Sequence, residues 1–352
     1  MIKKTNLKIW LFTLLISAIV LSACGSNPDD GTNAEAGAVD SKELTVSHFL
    51  PSNHPIQNNI LKVYLDELEE KTDGRITSEI YSAGALGDPG SQYDMAVTGT
   101  ADVALSVHGF TPGRFPIVSV VELPFLVESA QESSDILWTL YEEFPELKEE
   151  HKDTTPLWLF TVDPAQLISA KKKIETPSDL KGLRVRTPSP LGNQIIEALG
   201  GTPVSMPMGE VYDSLQKGVV DAAMVPISEA KDYNLHEVVK YITIGNFSVT
   251  PFFSVMNTDI FNSFTEEDQK LIHELGGRHM VEVIGQTTRK TAEDGRKIAE
   301  ENGVEIIELS GDNLAAWEEA LTPISEKWVS DLEAKGLPGQ KIFDRVQELK
   351  GN

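Results

Sequence analysis

The segment Leu44-Thr-Val-Ser-His-Phe-Leu50 alternates well enough to predict a strand, and it opens the folded part of the chain. A helix is predicted over 55–71, where Ile60, Leu61, Tyr64, Leu65 and Leu68 share one face and Gly74 closes the element. Residues 75–81 alternate again, with Ile76, Ser78 and Ile80 on one side. After the Gly84–Gly90 loop come a short helix through Tyr93 and Met95 and a strand over 102–107. Strands and helices alternating at this spacing predict βαβ units and mostly parallel sheet.

A second series begins after Pro164. Ser178 reads as the N-cap of a short helical turn, and a strand over 183–187 follows. The 191–199 helix ends at Gly200-Gly201 and a strand covers 202–206; a helix over 209–217 then stops at Gly218, before a strand over 221–225. Thr265-Glu-Glu-Asp268 has a capping-box pattern and starts a long helical stretch toward Asn302, broken at Gly276-Gly277. A strand over 304–309 precedes helices over 314–334 and 341–349. The expectation is two α/β lobes with helical late segments.

Composition sharpens this picture at the N-terminus. The 352 residues are 40% hydrophobic and 24% charged, the profile of a folded, water-soluble body long enough for two cores. Lys3, Lys4 and Lys8 precede a run over 9–23 that is almost wholly apolar, the layout of an export signal and short for a bilayer span. It ends Leu21-Ser22-Ala23-Cys24-Gly25, which resembles the lipobox of bacterial lipoproteins. That resemblance implies a signal peptide over 1–23, cleavage before Cys24, and a lipid on its sulfur. An uncut anchor helix is the alternative. Residues 25–42 are rich in Ser, Asn, Asp, Gly and Ala and read as a tether. Cys24 is the sole cysteine, so no internal disulfide or Cys-rich zinc site is possible.

The formal net charge is −24, and cleavage of the signal would deepen it by three lysines. Clustered cations for phosphate neutralisation are missing, so nucleic-acid binding is not expected. Catalytic signatures are missing too: the chain has no GxSxG, GxxxxGK[ST] or GxGxxG. His273 and His279 share a helix six residues apart, whereas the zinc motif HExxH needs four. Neither an enzyme nor a metal or cofactor is expected.

The informative block is Pro177-Ser-Asp-Leu-Lys-Gly-Leu-Arg-Val-Arg-Thr-Pro188, with Ala198-Leu-Gly-Gly-Thr-Pro-Val-Ser-Met-Pro-Met-Gly-Glu-Val-Tyr212 and Leu215-Gln-Lys-Gly-Val-Val-Asp221 after it. Glu70-Lys-Thr-Asp-Gly-Arg75, Gly84-Ala-Leu-Gly87, Gly99-Thr-Ala-Asp102 and Glu122-Leu-Pro-Phe-Leu126 precede it in order. Over residues 43–350 the chain resembles the solute-binding proteins of tripartite ATP-independent periplasmic (TRAP) transporters, of the dicarboxylate-binding-protein (DctP) type. The resemblance implies a periplasmic-binding-protein-like α/β fold: residues 43–163 plus 252–291 form lobe I, 164–251 plus 292–352 form lobe II, and the cleft between them takes a small organic acid. It implies delivery to a small and a large integral membrane subunit, from a position on the outer face of the cell membrane or in the periplasm.

The family's characteristic ligand-gripping arginine falls on Arg186. Alternation in Leu183-Arg-Val-Arg-Thr187 independently puts Arg184 and Arg186 on the face opposite Leu183 and Val185, and Arg186 near the carboxyl end of a strand, where open α/β sheets bind ligands. A guanidinium's paired donors match a carboxylate. The overall negative charge is no obstacle, since salt screens beyond about 8 Å.

Departures from the family pattern bear on the solute. A second arginine of many members is replaced by Gln166. Phe49 stands where binders of polar ligands have Asn, Met208 where Phe is common, and Val225 where a polar side chain occurs. His108, or Val107 beside it, falls near a pocket Glu of acidic-sugar binders. Ser189 and Phe247 are further candidates, although Phe247, like Met206 and Met224, reads more readily as core. One cation among apolar walls favours a monocarboxylate with an apolar or aromatic body. The alternatives are a C4-dicarboxylate receptor, a binding lipoprotein of an ABC importer, or an exported enzyme.

Overall fold

A computed structural model describes residues 41–350; the expected signal segment, Cys24 and nearly all of the tether lie outside the described residues. Eleven strands among those residues form two sheets. The chain order is β1 Lys42–His48, β2 Ile76–Tyr81, β3 Val103–Val107, β4 Thr155–Thr161, β5 Ala165–Ser169 and β6 Arg184–Thr187, continuing with β7 Thr202–Ser205, β8 Ala222–Pro226, β9 Tyr241–Ser248, β10 Pro251–Met256 and β11 Glu305–Glu308. The first sheet has the order β2-β1-β3-β10-β4 and the second β11-β9-β5-β8-β6-β7.

Each sheet is parallel except where the chain passes between lobes. Strands β1, β2 and β3 pair in parallel, as do β8, β6 and β7, whereas β10 and β5 run antiparallel to both of their neighbours. The passages are short, through Val162–Pro164 and through Val249-Thr250. Buried apolar side chains cover both sheets, with Leu44, Val46, Leu105, Phe160 and Phe253 in the first lobe and Ile168, Val211, Ala223 and Ile242 in the second. The two-lobed α/β architecture expected from the sequence is the one observed.

A third link is the long helix Gly277–Glu301. Its first half buries Met280, Val281 and Ile284 against the helix Ala130–Glu143 and β4, and its second half packs on the helix Glu229–Asp232. Two glycines allow this. At Gly276 a Cβ would stand 2.3 Å from the Leu157 carbonyl oxygen, and Gly277 takes φ +49°, so the preceding helix Glu266–Leu275 stops there. At Gly295 a Cβ would stand 2.3 Å from the Ile227 carbonyl oxygen, so nothing larger lets the helix lie so close to that backbone.

Two local expectations change. The turn Pro177–Leu180 is capped by Thr176, not Ser178: Thr176 and Asp179 form a reciprocal capping box. The helical stretch over 55–71 opens with a π turn, Gln57–Leu61, before the helix Lys62–Lys71.

Candidate functional site

Strand β6 lies between β7 and β8, and its side chains alternate as expected: Val185 is fully buried, while Arg184 and Arg186 point the other way. Arg184, at the open start of the strand, makes a two-pronged pair with Asp221 (Nε to Oδ2 3.0 Å, Nη2 to Oδ1 2.9 Å) and donates to the Gly218 carbonyl. Arg186 ends up 3% exposed. Its Nε donates to the Met206 carbonyl at 3.0 Å and its Nη1 to that of Met224 at 3.4 Å. A guanidinium carries five N–H groups, so two carbonyls leave donors aimed into the cleft. Burial lowers its pKa to about 10, opposed by the nearby Glu229 and Tyr233, and it remains a cation at neutral pH.

The cleft around Arg186 is apolar on both sides. Lobe I contributes Phe49, Leu50, Ile56, Val107, Phe110 and Phe252; lobe II contributes Pro188, Met208, Val225 and Pro226; Val162 and Thr250 come from the passages between them. Phe49 meets Phe110 edge-on at 5.5 Å between centroids and stacks with Phe252 at 6.3 Å. His54, Glu229 and Tyr233 complete the lining. The free volume of the cleft is about 40 Å³.

Two of the polar lining groups are unusual. His54 accepts from the Ile56 backbone N–H through Nδ1 at 3.1 Å, while its buried Nε2 has no partner. Glu229 is equally short of one at Oε2. Burial, reinforced by Asp232 and opposed by Arg186, pushes the Glu229 carboxyl up to about 8, and burial pulls His54 down to about 4.

Of the residues singled out in the sequence, Phe49, Arg186, Met208 and Val225 line this one cleft. The other four lie elsewhere. The Gln166 amide is fully engaged, mostly by backbone: Nε2 donates to the Pro164 carbonyl and to the Asn246 side-chain Oδ1, and Oε1 accepts from the Gly245 and Asn246 N–H groups. It braces β5 against β9 where their register slips, and it borders a separate depression beside Arg289. His108 is turned into lobe I, with Nε2 3.0 Å from His151 Nε2 and its ring against Phe115 and Phe253; neighbouring Val107 takes the cleft wall. Ser189 caps the helix Pro190–Ala198 and hydrogen-bonds the buried Glu122 carboxylate. Phe247 packs on Trp317 at 4.9 Å, in the core.

Sequence reasoning missed His54, Glu229, Tyr233, Phe110 and Phe252. His54 had a usable signal, since it sits in the loop leaving the first strand's carboxyl end. Glu229 had none, being one of 54 acidic residues.

The family model described as bacterial extracellular solute-binding protein, family 7 (DctP), matches residues 46–331. The chain belongs to that family. A TRAP solute-binding protein from Rhodoferax ferrireducens T118, solved with copurified benzoate, is 27% identical with a TM-score of 0.84, covering 88% of this chain and 97% of that one. A marine metagenome TRAP solute-binding protein specific for aromatic acid ligands, solved with 3-hydroxybenzoate, is 30% identical with a TM-score of 0.84, covering 88% and 98%. The ectoine-binding periplasmic protein TeaA of Halomonas elongata is 25% identical over 302 residues, 83% of this chain and 85% of its own length. As a DctP-family protein the chain is a TRAP solute receptor, not an enzyme, and its role implies a membrane transporter as partner. No helix among the described residues is long and apolar enough to cross a membrane.

Proposed function

We propose that this DctP-family receptor captures a monocarboxylate with an apolar or aromatic body. The carrying observation is a buried arginine with free donors, walled by Phe49, Phe110, Phe252, Met208 and Val225. The carboxylate bonds to Arg186 in a site that excludes water, where a charge-assisted pair is strongest, and the body of the acid stacks among the rings. That two relatives were solved with benzoate and 3-hydroxybenzoate supports the same class. A C4-dicarboxylate would bring a second ionised group to a wall whose lining offers no second cation.

The two lobes, 43–163 plus 252–291 and 164–251 plus 292–352, close over the acid by bending at the passages between the sheets, and the acid favours closure by bridging both walls. The closed form docks on the small and large TRAP membrane subunits. Cleavage before Cys24 and lipidation of its sulfur keep the receptor on the outer face of the membrane, where stable anchoring takes two or more acyl chains. A thermal-shift screen of residues 25–352 against aromatic, branched and aliphatic monoacids, C4-dicarboxylates and sugar acids tests the solute class. Stabilisation by the aromatic monoacids is expected; stabilisation by succinate or a uronate alone would replace it.

A further inference from the structure

His54 belongs to the loop after β1 in lobe I and Glu229 to the helix after β8 in lobe II, so their side chains reach the cleft from opposite walls. They are 5% and 9% exposed, and each holds a polar atom without a hydrogen-bond partner among the described residues. Buried polar atoms left unpaired are destabilising, and in native proteins they need a reason. A ring nitrogen of His54 and carboxylate oxygens of Glu229 and Asp232 lie within 4.8 Å of one another. At the full 4.8 Å, an oxygen about 2.8 Å from the atom on each side subtends roughly 118°, near the tetrahedral angle of a hydroxyl, and a shorter gap gives a smaller angle.

We propose that His54 and Glu229 together read a hydroxyl group on the bound acid, making the solute a hydroxy-substituted monocarboxylate. This rests on the monocarboxylate reading of the cleft. The tautomer of His54 decides the chemistry. Because Nδ1 accepts from the Ile56 N–H, a neutral ring carries its proton on Nε2 and presents a donor to the cleft. A hydroxyl oxygen accepts from that N–H while its own hydrogen goes to the Glu229 carboxyl, so one group satisfies both orphans. A metal ion on the same three side chains would need the Nε2 lone pair, which the Ile56 bond denies it. A carboxylate in that place would face Glu229 and Asp232, and an ammonium would face the His54 N–H. Since the two residues come from different lobes, the hydroxyl also links the walls on closure.

The test is calorimetric titration with matched acids, benzoate against its 2-, 3- and 4-hydroxy derivatives and phenylacetate against mandelate. The proteins are the wild type, His54→Asn and Glu229→Leu. Asn keeps the bond to the N–H two residues on and withdraws the cleft donor, and Leu fills the same space without polar atoms, so both variants are expected to fold. One hydroxy acid should bind at least about tenfold tighter than its parent, and each variant should shrink that margin, the ratio of the two affinities measured in the same protein, to about twofold. Equal affinities for parent and hydroxy acids, or an unchanged margin in both variants, would overturn the assignment and leave the carboxylate reading standing. Binding abolished by chelator and restored by zinc or calcium would overturn it in favour of a metal. If no acid binds, the carboxylate reading falls and this one with it.

Discussion

Arg184 and Arg186 stand two residues apart on one face of β6; the first is held by Asp221, while among the described residues the second donates to the carbonyls of Met206 and Met224. The difference is depth: the Arg184 side chain is 45% exposed and Arg186 is enclosed. Alanine at Arg184 is therefore expected to leave solute affinity within about twofold and to lower stability only slightly, as for other exposed pairs. Titration and thermal melts of R184A check both, and a large loss of affinity would assign the two arginines a shared role.

Closure has its own signature at Gly109. This glycine of lobe I lies against Pro188 and Ser189 of lobe II, and a Cβ there would come 2.6 Å from Ser189 Cβ and 2.9 Å from the Pro188 carbonyl oxygen. Gly109→Val should prop the lobes apart, weakening solute binding about tenfold or more with little change in the melting temperature of the free protein. Small-angle scattering with and without saturating acid reads this directly. A solute-induced compaction equal to wild type would refute it.

Stability should fall as pH rises from about 6.5 to 8. Burial raises Glu122 to about 7 and Glu150 and Glu229 to about 8, so the folded chain keeps protons that the unfolded chain has already released above its carboxylate range. The native state then binds more protons than the unfolded state, and the slope with pH is negative. His48, His54 and His151, lowered to about 4 by burial, act the opposite way, but only below about 6.5 where unfolded histidine titrates. Over the upper window Glu150 and Glu229 each contribute roughly 1–2 kcal/mol and Glu122 about half as much. Melts of wild type and Glu229→Leu between pH 6.5 and 8 should show a shallower slope in the variant; equal slopes would remove Glu229 from the account.

The long helix is expected to be intolerant at Gly295, where a Cβ meets the Ile227 carbonyl oxygen, Ser228 Cα and the Ile227 carbonyl carbon within 2.8 Å. Gly295→Ala should cost about 1–3 kcal/mol by overpacking a backbone that cannot yield. It should also weaken solute binding, because Ile227 and Ser228 lead directly into Glu229. A denaturant melt with unchanged midpoint would mean the helix shifts freely.

How far the sequence reached depended on how local each signal was. Arg186 was legible because strand alternation and the motif around it act within five residues. Gln166 was placed by counting back along the family pattern, but the slipped register of β5 against β9 turns its amide to the Pro164, Gly245 and Asn246 backbone. Phe247 is decided by Trp317, seventy residues later on a helix whose packing no local pattern encodes. Strands β4, β5, β9 and β10 were not expected from the sequence, and for the antiparallel β5 and β10 the reason is related. Buried at every position, they lack the in-and-out alternation that marks a half-exposed strand, and polar residues such as Gln166, Ser169 and Ser254 interrupt their apolar runs. His54 and Glu229 meet only because two lobes close, a relation with no trace in spacing.

The measurement that bears most directly on the central claim is isothermal titration of residues 25–352, wild type and Arg186→Ala, with benzoate and with succinate under the same conditions. Benzoate should bind the wild type at least about tenfold tighter than succinate, and R186A should lose it by about a hundredfold or more, the loss of a charge-assisted pair in a closed site. Succinate binding tighter than benzoate, or benzoate binding unchanged in R186A, would contradict a monocarboxylate held by Arg186.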